Sequence, residues 1–63
     1  MKGIRIEIET VNSAFEGAEF NEVARILRDL ADKLDRYDEV QTLMDINGNK
    51  TGKVEYLWTM LKL

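Results

Sequence analysis

Near the start of the chain, hydrophobic and polar residues alternate strictly. Ile4, Ile6 and Ile8 fall on one side, and Arg5, Glu7 and Glu9 on the other. Period two with β-branched residues predicts a half-buried strand over Ile4–Ile8. Further along the period changes. Phe20, Val23, Leu27, Leu30, Leu34 and Tyr37 recur every three or four positions, which draws one apolar stripe along a helix over Glu19–Arg36. Glu19 and Glu22 at its start and Lys33 and Arg36 at its end suit the helix dipole. Ala24 and Ala31 are small neighbours that let a sheet come close, while Arg25, Arg28, Asp29 and Asp32 are assigned to the outside. In the connection "TVNSAFEGAEF", Ser13 and Glu16 have capping-box spacing, but Gly17 directly behind them works against a long helix. This stretch therefore predicts a short turn that tucks Phe15 under the core.

The last third predicts a hairpin over Glu39–Met60, with strands at about 39–45 and 50–60. "MDINGNKTGK" joins them, and Asp45, Asn47 and Asn49 alternate there in the manner of calcium ligands. An EF-hand loop needs glycine at its sixth position and glutamate at its twelfth; counted from Asp45 these are Lys50 and Tyr56. The metal pattern fails at both. A three-residue loop, Ile46-Asn47-Gly48, puts Asp45 at the first position of a type I turn and Gly48 where a left-handed residue is required. It also keeps even numbers opposite even numbers, so Val40, Thr42 and Met44 are expected to face the helix together with Val54, Tyr56 and Trp58.

The resulting fold is α+β: a single domain over 1–63, β-α-β-β, with one helix packed on a three-stranded sheet. Which hairpin strand neighbours the first is left open by the pattern. A crossover from the first strand to a parallel second would be right-handed.

Composition narrows the function. Sixty-three residues form only a marginal core, a size at which a second copy or a partner commonly supplies the missing burial. With no Cys and no His, the chain lacks thiolate ligands, the usual general base and the commonest metal ligand. No glycine-rich phosphate loop is present either, so no enzyme, cofactor or metal site is expected. A net charge of −3 speaks against direct nucleic-acid binding. Asp29, Asp32, Asp35 and Asp38 could suggest a nucleic-acid mimic, but the interleaved Arg28, Lys33 and Arg36 make them a solvated face. The N-terminus has no apolar signal-like core and no run approaches a membrane span, so a cytoplasmic protein with no membrane partner is expected.

The tail "VEYLWTMLKL" carries the candidate interaction residues Leu57, Trp58, Met60, Leu61 and Leu63. Leu57, Leu61 and Leu63 fall on the sheet face that bears Arg5, Glu7 and Glu9, where water is expected. Two readings stand. In one the tail curls back as a short helix and completes the same core; in the other it forms an interface with a second copy (a dimer or larger homo-oligomer) or another protein.

Taken together, "IRIEIETVNSAF", "EVARILRDLADKL" and "DINGNKTG" resemble a group of short phage and prophage proteins of unassigned role, over about residues 4 to 55. The resemblance implies a protein-binding module working in an infected or lysogenic bacterial host. It would be a stoichiometric inhibitor or counter-defence protein, anti-CRISPR-like in mode, with a host or defence protein as partner. Its alternatives are a homo-oligomeric binder of a small ligand such as a signalling nucleotide, using cations such as Arg5 and Lys53, or a phage structural accessory protein.

Overall fold

The computed structural model describes residues 2–58. Strand β1 spans Gly3–Ile8, a 3-10 turn Ser13–Phe15, helix α1 Glu19–Asp35, β2 Thr42–Met44 and β3 Lys50–Leu57. One helix packs on an antiparallel three-stranded sheet of order β1-β3-β2. Both outer strands are antiparallel to β3. They therefore run in the same direction with β3 between them, which settles the strand order.

The isoleucines of β1 share one face as expected, but only Ile8 packs on the core, Ile4 and Ile6 being each about two-fifths exposed. Ile4, Ile6 and Ile8 lie opposite Tyr56, Val54 and Gly52, and Val54 is buried against the helix with Phe15, Ile26, Leu30 and Leu43. Phe15 is fully buried, held by the 3-10 turn that precedes α1.

Two expectations need correction. In β2 the inward residue is Leu43, which is buried, whereas Thr42 and Met44 are exposed. The three-residue loop is nonetheless present: Gly48 N–H donates to the Asp45 carbonyl, Asp45 N–H donates to the Asn49 carbonyl, and Gly48 has φ +84°. Parity breaks further on. Met44 pairs with Lys50 but Leu43 with Gly52, so Thr51 is an extra residue on β3. This bulge shifts the register by one and turns the other face of β2 inward. It is held from β1, because the Thr51 hydroxyl donates to the Glu9 carbonyl and Glu9 N–H donates to the Thr51 carbonyl. Gly52 follows because a Cβ there would fall on the Glu7 carbonyl.

The helix is also rotated from its apolar stripe. Leu30 is buried and Val23 and Leu34 pack against the core, but Phe20, Leu27 and Tyr37 are exposed, as is Ala31. Ile26 and Glu22 are buried instead. At 3.6 residues per turn the buried face lies roughly a fifth of a turn from the stripe. A polar tie explains this. Arg25, assigned to the outside, donates to both oxygens of Glu22 at 2.9 and 3.0 Å and to the Met44 carbonyl at 3.3 Å. Glu22 also accepts the Ile46 N–H at 2.9 Å. These bonds draw the Glu22–Arg25 flank of α1 onto β2 and leave Phe20 and Leu27 exposed on the opposite flank.

Candidate functional site

Among the described residues, two places carry chemistry that a small domain does not need for packing alone. The first is the end of the molecule where α1 stops. Lys33 and Leu34 carbonyls accept the N–H groups of Asp38 and Tyr37, each at 2.9 Å. This is the Schellman arrangement, whose left-handed position is normally filled by glycine. Here Tyr37 fills it, at φ +61°; among the described residues no other non-glycine has a positive φ. The residue is 96% exposed, so the strained backbone is not compensated by burial within the chain.

Tyr37 stands beside an open groove of about 200 Å³, walled by Ile4, Leu34, Tyr56 and Trp58 and rimmed by Asp38 and Glu39. Each wall comes from a different element: Ile4 from β1, Leu34 from α1, and Tyr56 with Trp58 from β3 and its exit. Trp58 is 58% and Ile4 40% exposed. Tyr56 is better held, its hydroxyl donating to the Val40 carbonyl at 2.6 Å. Burial, and then the charges of Glu39 and Asp38, push its pKa up, so the phenol remains a neutral donor. The groove thus offers aromatic and aliphatic surface inside an acidic rim.

The second place is the pair of buried carboxylates, Glu22 and Asp45. Perturbed carboxylates often mark function, but these are taken up by the chain itself. Asp45 accepts the N–H groups of Asn47 and Asn49 and the side-chain amide of Asn12. The Asn49 N–H foremost holds its pKa below the ordinary carboxylate value. Glu22 is likewise lowered, first by its hydrogen bond from Arg25. Asp45 is thus turn chemistry, as its spacing predicted, and Glu22 is the anchor of the helix.

Of the tail residues singled out in the sequence, Leu57 closes β3 opposite Gly3 and is half-buried, while Trp58 stands at the groove. Met60, Leu61 and Leu63 lie outside the described residues. Arg5 and Lys53, the cations a small anionic ligand would use, are engaged across the sheet with Glu55 and Glu7, each at 3.5 Å. Sequence reasoning placed Ile4, Leu34, Tyr37 and Tyr56 in the core and so missed the groove. The signal for Tyr37 was slight: an aromatic directly after the basic last turn, with no Gly or Asn to end the helix.

Comparison with protein-family models, curated proteins and solved structures gave no match. No helix among the described residues is long and apolar enough to cross a membrane.

Proposed function

We propose that this chain is a non-catalytic protein-binding module that engages its partner with the Tyr37–Trp58 end and acts by occupying the partner's surface. The observation that carries this reading is Tyr37, a bulky residue held at a glycine position and turned almost wholly to water. Backbone strain of this kind persists where a use for the side chain outweighs its cost. Tyr and Trp are the residue types that dominate binding energy when a partner covers them. The rim of Asp38 and Glu39 favours a partner whose apolar side chains are flanked by Lys or Arg. The resemblance to short phage proteins adds the partner class, a host or defence protein, and the mode, stoichiometric inhibition.

The test is affinity capture from a bacterial lysate with the wild-type chain and with Trp58→Ala as bait, bound proteins being quantified by mass spectrometry. A protein retained stoichiometrically by the wild type and lost with Trp58→Ala supports the reading. Equal retention by both baits contradicts it.

A further inference from the structure

The sheet has two edges, and they are treated differently. β2 is three residues long, lies opposite a bulge, and has its Met44 carbonyl capped by Arg25. Shortness, bulging and cover are the usual means by which an edge is closed to further pairing. β1 has none of them. It is six residues long, contains no proline, and keeps one unbroken register with β3 from Gly3 to Ile8. Because Glu9 N–H bonds to the Thr51 carbonyl, the odd positions of β1 face β3 with their backbone groups. The N–H and C=O groups of Ile4, Ile6 and Ile8 therefore point out of the sheet.

The surface above this edge is apolar. Ile4 and Ile6 are each about two-fifths exposed, and α1 leaves Leu27 at 40% and Phe20 at 90% exposed. The helix is amphipathic toward this flank, and nothing in the described chain covers it.

We infer that β1 is the seam of a homodimer, in which it pairs antiparallel with β1 of a second copy about a two-fold axis through Ile6. Charge selects both the occupant and the register. Centring on Ile6 sets Arg5 opposite Glu7 of the other copy, twice. Centring on Arg5 or on Glu7 would set like charges face to face. Within each chain Arg5 already pairs with Glu55 and Glu7 with Lys53. The Ile6 register therefore extends each pair into a row of alternating sign across four strands, Glu55-Arg5-Glu7-Lys53. The same axis is perpendicular to the sheet, so both helices lie on one face of a six-stranded sheet. The exposed Phe20 and Leu27 of each helix are then on the same side of the sheet as the paired Ile4, Ile6 and Ile8. The seam shares Ile4 with the Tyr37–Trp58 groove, but Ile6 lies outside the groove and Trp58 outside β1, so Ile6→Lys and Trp58→Ala probe the two surfaces separately.

The chain has no cysteine, which makes site-specific cross-linking a direct test. In the Ile6 register, positions 5 and 7 of opposite copies form a non-hydrogen-bonded pair with Cα atoms about 4.5 Å apart, within disulfide reach. Arg5→Cys and Glu7→Cys chains are mixed and oxidised, with Asp32→Cys as control, and the wild-type mass is measured by analytical ultracentrifugation. The expected result is a wild-type dimer, a mixed 5–7 disulfide forming well ahead of every like-with-like product, and a monomeric Ile6→Lys chain. A wild type that stays monomeric up to millimolar concentration would overturn the inference. So would a mixed disulfide forming no faster than the control, or an Ile6→Lys chain that still dimerises.

Discussion

The carboxylate of Glu22, one turn into α1, accepts the backbone N–H of Ile46 in the hairpin loop at 2.9 Å, across 24 residues of sequence. This contact fixes how the helix sits on the sheet. It closes a buried group in which Arg25 completes the Glu22 side and Asp45 holds the loop from within. Glu22→Gln keeps the shape but loses the charged partner of Arg25. It should cost more than Glu19→Gln at the exposed start of the helix, by about 1 to 3 kcal/mol, measured by urea denaturation. Equal costs would show that the tie contributes nothing.

The same group sets a pH dependence. Both carboxylates have folded-state pKa values below their ordinary values of 4.5 for Glu22 and 3.8 for Asp45. A depressed folded pKa contributes stability that is present above the unfolded value and is lost as pH falls through the folded one. The melting temperature should therefore hold from neutrality to about pH 5 and fall progressively below it. In Glu22→Gln the acid fall should be shallower. An unchanged slope in that variant would assign the acid transition to other groups.

Gly52 and Gly48 should both resist substitution, for different reasons. A methyl group at Gly52 meets the backbone of β1, so Gly52→Ala should cost about 1 to 3 kcal/mol through displacement of a strand. At Gly48 there is open space but a left-handed backbone, so Gly48→Ala should cost about 1 kcal/mol and Gly48→Asn less. Chemical denaturation of the three variants checks this. Equal tolerance of Ala and Asn at position 48 would contradict the turn geometry.

The rotated helix predicts unequal costs for two adjacent residues. Ile26 is 3% exposed and Leu27 40%. In dilute chain, Ile26→Ala should lose about 2 to 5 kcal/mol, as large-to-small core changes do, and Leu27→Ala clearly less. Equal losses would restore the helix to its apolar stripe.

These residues also show what the sequence could and could not reveal. Strand β1 was legible because isoleucine and charge alternate without a break, and the Asp45–Gly48 turn because its chemistry is local. The inward face of β2 was misread because the Thr51 bulge is set by Glu9 and Glu7, more than forty positions away. The helix was placed on its most apolar side because counting hydrophobic residues cannot anticipate a buried Glu22 satisfied by Arg25 and a loop N–H. Trp58 stands out in the sequence as an interaction residue, but its neighbour Tyr37 does not, for a related reason: a 3.6-residue period carried past Asp35 makes Tyr37 a core residue, whereas the chain turns left-handed there.

The most direct test of the binding account is to give position 37 the residue its backbone favours and to read stability and binding together. Tyr37→Gly removes the left-handed strain and the exposed ring at once. Relief of one such residue is worth about 1 kcal/mol, so the account predicts a higher melting temperature with markedly weaker retention of the captured partner, each measured beside the wild type. A variant that is more stable and binds the partner unchanged would show that Tyr37 is not kept for recognition, and would contradict the account.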